Sequence, residues 1–348
     1  MYLWKDFKKI TTYFNGLITK DKTEYNIRFT ITEDGSLNSS MNIDNNTFSF
    51  LVNDVDELKM KEFKNISVDY NEFYTLTKSI KGIKKLAVEI INNKLVIHTD
   101  NNEEFSINCE KVLTRNFDGE SIGIINLESL NYALLLNDNS AKSGIHMFDK
   151  NIICKKEDNI FYLNSYNTGI YVGNKIEITG GKNISFLIAY EELSFIKKWL
   201  KFVIKPTNNF DDNVELLIFQ NYLKFQLSKS SMIIPINFDG EIIAEKYKDL
   251  TNYNYPLKKK IRMQELDIAN TNAIKEKAKI VDTTWIFETN SNIYRPLFTN
   301  VVKQFIDWDL DVDVNVIDSN NLVLEFDSEI LDLKTKVLLF AMTPKYKS

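Results

Sequence analysis

The feature that most constrains the fold of this chain is a repeat in which an amphipathic helix is followed by short strands. Apolar residues recur at helical spacing in five places, beginning near residues 4, 71, 127, 191 and 293. Most of these starts lie roughly 60 residues apart, and one interval is wider. The wider interval holds Met263–Lys279, which we interpret as the helix of an abbreviated copy. The last helix is predicted at Ile293–Phe305, so six copies fill the chain.

Strand-like runs accompany each helix and are separated by asparagine and aspartate turns. The chain has only 11 Gly and 5 Pro, so pairs such as Asn92-Asn93 must supply the left-handed backbone that tight turns need. Such turns predict antiparallel hairpins. Taken in pairs, the copies predict an α+β fold of three domains, residues 1–118, 119–250 and 251–348. Each domain is a doubled unit of a helix plus antiparallel strands, and the first half of the third is abbreviated.

The lysines are distributed unevenly around the predicted helices. The net charge is −5, which by itself argues against nucleic-acid binding, because Lys and Arg make the phosphate contacts. On the helical wheel, however, lysines occupy the face opposite the apolar residues on the first and fourth helices and, more weakly, on the second. A solvated surface face is the alternative for any one helix. Together they predict a positive, sequence-independent DNA track formed by Lys5, Lys8, Lys9, Lys78, Lys81, Lys197, Lys198 and Lys201.

Little in the sequence indicates catalysis, a metal or a cofactor. Cys109 and Cys154 lie in apolar strand-like runs, as buried thiols do, and only His98 and His146 could serve as imidazole bases or ligands. No phosphate-binding loop, dinucleotide fingerprint or metalloprotease motif is present. The acidic run Asp307–Asp313 lacks the glycine and glutamate of a calcium loop, so we interpret it as the solvent face of an edge strand. We therefore expect a non-enzymatic protein without a metal or cofactor.

The chain shows no sign of a membrane or export segment. No apolar run approaches the roughly 18–20 residues of a membrane-spanning helix. The first residues also lack the charged-then-apolar layout of a signal peptide. We expect a soluble, cytoplasmic protein.

Several stretches resemble the bacterial DNA polymerase III β subunit, the sliding clamp. They are Ile66–Phe73 and Phe186–Leu193, where a strand runs into a helix, together with Asn159–Gly173 and Leu338–Lys345. The resemblance implies a head-to-tail homodimer closed into a ring, with helices lining the hole and sheets outside. Such a ring encircles double-stranded DNA without reading its sequence. Polymerase and clamp loader would dock on it through short linear peptides.

The resemblance also implies a peptide-binding cleft between the second and third domains. Ser165–Ile170, Asp239–Ile243 and Met342–Lys345 match the family's cleft segments only in part, which points to a divergent clamp, such as one from a phage or mobile element. The candidate cleft residues are Ser165, Ile170, Ile243, Leu339, Met342 and Pro344.

Two other functions remain open from the sequence. One is a β-rich structural or host-interaction protein of a phage, without DNA tethering, in which the lysines simply face water. The other is a carboxylate-based hydrolase, since the separation of two carboxylates is a three-dimensional quantity.

Overall fold

The computed structural model describes most of the chain and divides it into two compact units. It describes residues 1–18, 24–32, 35–53, 65–112, 119–141, 150–167, 170–208, 210–238, 258–277, 280–282, 292–294, 299, 302–303, 311–318, 321–328 and 333–340. Unit 1 comprises Met1–Glu120 and Lys198–Pro235, and unit 2 comprises Ser121–Lys197 and Ile236–Ser348. The three-domain division stays a prediction.

The described elements alternate helices with groups of strands, as the repeat predicts, and the chain is α+β. The helices are α1 (Trp4–Leu17), α2 (Tyr70–Ser79), α3 (Leu127–Ala141), α4 (Tyr190–Val203) and α5 (Met263–Lys275). The strands from the first half of the chain are β1 (Tyr2–Leu3), β2 (Asn26–Ile31), β3 (Leu37–Ile43), β4 (Asn46–Val52), β5 (Asn65–Asp69), β6 (Lys85–Ile91), β7 (Lys94–Thr99), β8 (Glu104–Asn108), β9 (Glu110–Lys111), β10 (Glu120–Asn126), β11 (Asn151–Glu157), β12 (Ile160–Asn167) and β13 (Ile170–Glu177). Those that follow are β14 (Ile184–Ala189), β15 (Asn213–Phe219), β16 (Tyr222–Gln226), β17 (Ser230–Pro235), β18 (Lys258–Arg262), β19 (Ile280–Asp282), β20 (Asn292–Tyr294), β21 (Asp311–Asp318), β22 (Asn321–Ser328) and β23 (Leu333–Phe340). None of the described helices is long and apolar enough to cross a membrane.

Local sequence explains where these elements begin and turn. The Asp69 carboxylate accepts a hydrogen bond from the Glu72 backbone N–H at 2.9 Å and so caps α2. Asn126 caps α3 in the same way, because its side-chain oxygen accepts from the Ser129 N–H at 3.0 Å. Asn92 and Asn93 both adopt positive φ, at 50° and 59°, which confirms the predicted β6–β7 turn.

In unit 1 the first two copies exchange strands, and we call each the sister copy of the other. The strand before each helix pairs with the first strand that follows the helix of the sister copy. β1 precedes α1 but pairs with β6, through Tyr2 opposite Leu86. β5 precedes α2 but pairs with β2, through Val68 opposite Ile27. One resulting sheet has the order β1-β6-β7-β8, and another carries β15-β16-β17-β4-β3-β2-β5-β9 as consecutive neighbours. Two copies therefore complete each other's sheets.

Unit 2 repeats this exchange within an eight-stranded sheet of order β14-β11-β12-β13-β23-β22-β21-β18. β14 precedes α4 and pairs with β11, while β18 precedes α5 and pairs with β21. The β18–β21 pair is matched in charge, because Lys260 lies opposite Asp313 and Arg262 opposite Asp311.

The pairing of β18 with β21 corrects the interpretation of the acidic run. Its residues 311–313 belong to β21, which lies between β18 and β22 and is not an edge strand. The sequence could not show this, because the strand that covers β21 comes from the abbreviated copy about 50 residues earlier. Asp311 and Asp313 therefore lie opposite basic residues of β18 in the sheet register, rather than at an edge that they would protect from pairing. Residues 307–310 lie outside the described residues.

The last predicted helix begins later than expected. Ile293 and Tyr294 lie in β20, where Ile293 pairs with Val281 of β19, and the described helical residues are Thr299, Val302 and Lys303. The prediction of a helix from 293 was wrong because apolar spacing ignored Pro296. The residue before a proline disfavours helical backbone, so Pro296 in the sequence argues against a helix that runs through Arg295. The predicted helix of the abbreviated copy is confirmed as α5.

A buried polar cluster ties helices to sheet in the core of unit 1. The Ser230 hydroxyl accepts a hydrogen bond from the Trp199 indole N–H at 3.0 Å and lies 3.2 Å from the Tyr13 hydroxyl. It also lies 3.1 Å from the carbonyl oxygen of Ser49 on β4. Burial raises the pKa of Tyr13 well above its ordinary value, so this phenol stays a neutral hydrogen-bonding group. The cluster fixes α1 and the end of α4 against β4 and β17.

Replacing Ser230 with alanine should lower the free energy of unfolding by about 1–3 kcal/mol, because buried donors lose their partner. The measurement is chemical denaturation of both proteins. Ser194→Ala is the matched control: this serine is exposed on α4 and bonds only locally to Glu191, so a change within about 0.5 kcal/mol is expected. Equal effects of the two substitutions would contradict the role given to the cluster.

Candidate nucleic-acid interface

Helix α1 exposes a face that carries positive charge and no exposed carboxylate. Its core side buries Phe7, Ile10 and Phe14 among others. Its exposed residues are Lys5, Lys8, Thr12, Asn15 and Gly16. The acidic residue of this helix, Asp6, is half-buried and pairs with Lys9 at 3.2 Å. The outer face of α1 is therefore basic or neutral along its length.

Two other lysine-bearing helices pack beside α1 within unit 1. Phe73 of α2 meets Phe7 of α1 with ring centroids 5.7 Å apart, and the Tyr70 hydroxyl donates to the Thr11 carbonyl oxygen at 3.1 Å. On the other side, Phe202 of α4 packs edge-on against Tyr13 of α1 at 4.9 Å. The core contacts of α1 thus hold α2 and the C-terminal part of α4 next to it. This brings most of the predicted lysines onto neighbouring helices.

The predicted lysines differ in how freely they can meet a ligand. Lys5, Lys8, Lys78, Lys81 and Lys201 are exposed. Lys78 lies 4.3 Å from the centre of the Tyr74 ring, a cation–π contact that leaves its charge intact. Lys81 lies just beyond the end of α2.

The remaining lysines are engaged. Lys9 pairs with Asp6, and the half-buried Lys198 ammonium donates to the Leu17 carbonyl oxygen at 3.4 Å. Lys197 Nζ lies only 2.6 Å from Asp138 Oδ2, in an ion pair between α4 and α3 within unit 2. Burial, the negative charge of Asp138 and a hydrogen bond with it raise the pKa of the neighbouring Tyr190. Sequence reasoning missed Asp138, since a contact between residues 59 positions apart leaves no local pattern.

Helices α3 and α5 do not continue the basic face. Glu128 is the exposed charged residue of α3 among its described side chains. The exposed side of α5 includes Glu265 and Lys275 together with two large apolar side chains, Ile268 at 54% and Ile274 at 46% exposure. Among the described helices, the exposed lysines of the predicted set therefore lie on α1, α2 and α4 or just beyond the end of α2.

Strand pairing brings two of the predicted cleft residues together. Ile170 at the start of β13 lies opposite Leu339 near the end of β23, and Ile170 is fully buried. Ser165 is also buried, and its hydroxyl donates to Asn137 of α3, so it lies beneath the sheet in this structure. Ile243, Met342 and Pro344 lie outside the described residues.

A buried polar network that the sequence analysis missed supports these strands. The Asn137 amide donates to the Leu163 carbonyl oxygen at 3.3 Å, and the Thr335 hydroxyl of β23 donates to Asn174 Oδ1 of β13 at 2.7 Å. Asn137 and Asn174 are each fully buried. The signal that could have found them was an asparagine within an apolar helix or strand run, where a buried side chain must find partners.

The other candidates for chemistry are the possible metal ligands, the thiols and the histidines. Within the described residues, no group of three or more His, Cys, Asp or Glu side chains could hold a metal ion. Burial raises the pKa of the Cys154 thiol well above its ordinary value, which keeps it protonated and unreactive. His98 lies on a half-exposed sheet face between Glu89, at 3.7 Å, and Glu104, at 3.6 Å. His146 lies outside the described residues.

Solved structures share this architecture over nearly the whole chain, although the sequence matches no family model and no curated protein. A candidate DNA polymerase III beta subunit from Eubacterium rectale is 14% identical, with a TM-score of 0.71 and 98% of each chain covered. The Pseudomonas aeruginosa DNA polymerase III subunit beta is 10% identical, with a TM-score of 0.70 and 98% of each chain covered. The Helicobacter pylori beta clamp bound to a DNA ligase peptide is 10% identical, with a TM-score of 0.70 and coverage of 98% of this chain and 99% of that one. The chain therefore has the fold of the DNA polymerase III beta subunits, the beta clamps.

Proposed function

We propose that this protein is a sliding clamp, a ring-shaped processivity factor that encircles duplex DNA and tethers a replicative polymerase. The observation that carries the proposal is the lysine-bearing surface of three adjacent helices, α1, α2 and α4, in a chain with the beta-clamp fold. In this proposal the protein acts in the cytoplasm and is not an enzyme. Its domains are residues 1–118, 119–250 and 251–348.

The charge distribution suits sliding rather than tight binding. We define the lysine track as Lys5, Lys8, Lys78, Lys81 and Lys201, the exposed members of the predicted set. Lysines contact phosphates electrostatically and carry no sequence information, so such a surface holds any duplex loosely. Because the net charge of the chain is −5, the rest of the molecule carries net negative charge, which would favour the approach of DNA to this surface. Retention on DNA would then depend on topology.

Neutralising four track lysines should weaken DNA binding and flatten its salt dependence. For Lys5, Lys8, Lys78 and Lys201 changed together to Gln, the slope of log K against log salt should fall by about 0.9 for each phosphate that the variant no longer neutralises. The measurement is fluorescence anisotropy with a short duplex of arbitrary sequence at about 50–200 mM salt.

The matched control changes the same amount of charge on strands and their turns: Lys94, Lys111, Lys175 and Lys229 to Gln, all exposed. Its slope should equal that of the unmodified protein. If both variants had the same slope of log K against log salt, the assignment of the lysine track to DNA binding would be contradicted. Such a result would favour the alternative of a β-rich phage structural protein whose lysines merely face water.

We also propose that a polymerase and a clamp loader dock short peptides beside the β13–β23 pair. Support comes from the pairing of Ile170 with Leu339, from the buried network under these strands and from the ligase peptide bound by the Helicobacter pylori clamp. Ile170, Ile243, Leu339, Met342 and Pro344 stay as the proposed cleft residues, whereas Ser165 supports these strands from beneath through Asn137. A peptide there would stabilise the complex through a few apolar anchors.

Changing Leu339 and Met342 together to Ala should weaken binding of that ligase peptide at least about tenfold, since apolar anchors dominate such contacts. Titration of a fluorescent peptide gives the affinity. Lys334→Ala, on an exposed position of the same strand, should leave it unchanged. The cleft assignment fails if the double variant binds the peptide as the unmodified protein does.

A head-to-tail homodimer would complete the ring in this proposal. Such a contact joins two different surfaces, and each unit offers one. In unit 1, β8 is a terminal strand of its sheet among the described strands, and we propose its outer backbone edge as the first surface. In unit 2, α5 exposes the large apolar side chains of Ile268 and Ile274, and we propose this helix as the second surface.

Ile268→Asp should convert the dimer to a monomer, because a carboxylate would be buried without a partner. Sedimentation velocity over a range of protein concentrations measures the change. Ile124→Asp, at an isoleucine of similar exposure on β10, should leave the dimer intact. A dimer that survives Ile268→Asp would rule out α5 as the contact.

A further inference from the structure

Helix α4 carries two lysines in different electrostatic states. Lys197 and Lys201 are four residues apart and so lie on one face of the helix. Lys201 is exposed, and no carboxylate in the described part of the chain forms an ion pair with it. Lys197 is only 33% exposed and sits 2.6 Å from Asp138, which is 20% exposed. One helix face therefore presents one free and one neutralised positive charge.

Asp138 lies at a position of α3 where a negative charge is unfavourable. Asp138 lies in the last turn of α3, where the helix dipole is negative and cations are preferred. That turn contains no basic residue. Tyr190, the first residue of α4, hydrogen-bonds Asp138 and holds the carboxylate at the start of the lysine-bearing helix. A carboxylate at a helix position that disfavours negative charge indicates that an interaction outside the helix requires it.

We propose that Asp138 is an internal competitor for DNA phosphate at Lys197. The inference rests on the proposed function, because it concerns the affinity of the DNA-contacting surface. The carboxylate occupies the ammonium that a phosphate would otherwise contact, so Lys197 adds nothing to DNA binding while the pair persists. The clamp thus has more lysines than phosphate contacts. Its hold on DNA stays weak enough for sliding.

A second ion pair provides an internal comparison. Lys9 and Asp6 on α1 are 3.2 Å apart, with side chains 37% and 34% exposed. Solvent screens this looser pair more effectively, and pairs of this kind hold their partners weakly. Phosphate would therefore displace Asp6 from Lys9 more readily than it would displace Asp138 from Lys197. Asp6→Asn should change DNA binding less than Asp138→Asn.

The test is the salt dependence of binding to a short fluorescent duplex by the full chain and its variants. Asp138→Asn keeps an oxygen that accepts from Tyr190 and removes the charge. Its slope of log K against log salt should steepen by about 0.9, the increment for one additional neutralised phosphate. Lys197→Gln in the unmodified protein should leave the slope unchanged, whereas Lys201→Gln should lower it by about 0.9. Adding Lys197→Gln to Asp138→Asn should return the slope to its original value.

Thermal unfolding of each variant establishes that it is folded. Should Asp138→Asn fail to fold, the comparison of Lys197→Gln with Lys201→Gln decides the question without altering Asp138. The inference is overturned if Lys197→Gln lowers the slope as much as Lys201→Gln, or if folded Asp138→Asn binds as the unmodified protein does. If neither the unmodified protein nor Asp138→Asn binds DNA at any salt concentration, the proposed function itself is contradicted and the inference falls with it.

Discussion

The exchange of leading strands between sister copies is the constraint on which the rest of the structure depends. A single copy, a helix with its following strands, does not complete its own sheet: β1 pairs with β6, and β5 with β2. The same arrangement recurs where β14 pairs with β11 and β18 with β21. Because backbone groups at a sheet edge need partners, the copies are stable in pairs rather than alone. The pairing of copies that the sequence analysis predicts is consistent with this requirement.

The exchange also fixes which way each helix faces. Every described helix begins at the residue immediately after its leading strand, as Trp4 follows β1 and Tyr70 follows β5. No loop intervenes, so the register of the leading strand sets the rotation of the helix about its axis. The apolar stripe then meets the sheets, and the opposite stripe faces outward. On α1 the outward stripe is Lys5, Lys8, Thr12 and Asn15. The outward lysine-bearing surface of α1 is thus a consequence of how the sheets close.

Periodicity and turn chemistry were sufficient to predict much of this fold. Apolar spacing located α1, α2, α4 and α5, and the Asn92-Asn93 pair located a hairpin, because these signals are local. Pairing between distant segments was not predictable in this way. The wrong edge assignment for the acidic run shows the difference, since the basic strand that faces it lies far away in sequence. The early start predicted for the last helix had another cause, the neglect of Pro296.

Prediction of the site residues also succeeded where the signal was local and failed where it depended on contacts between distant residues. The outward-facing lysines could be predicted from helical wheels, because burial of the apolar face determines which residues face outward. The partners that alter their charge could not, since Asp138 reaches Lys197 from another helix. For the cleft, family resemblance placed Ile170 and Leu339 at positions that the sheet pairs directly. Ser165 points into the core instead, held by Asn137. Strand alternation alone offered no means of telling which face of β12 it occupies.

Retention on DNA of defined topology tests the central claim most directly. The protein would be loaded by a bacterial clamp loader onto nicked circular DNA, purified on that DNA at moderate salt and then followed after the circle is cut once. A ring held by topology leaves through the free ends, and blocking both ends with bulky bound proteins should restore its retention. Protein that stays on the linear DNA with open ends, or that is never retained on the circle, would contradict the account.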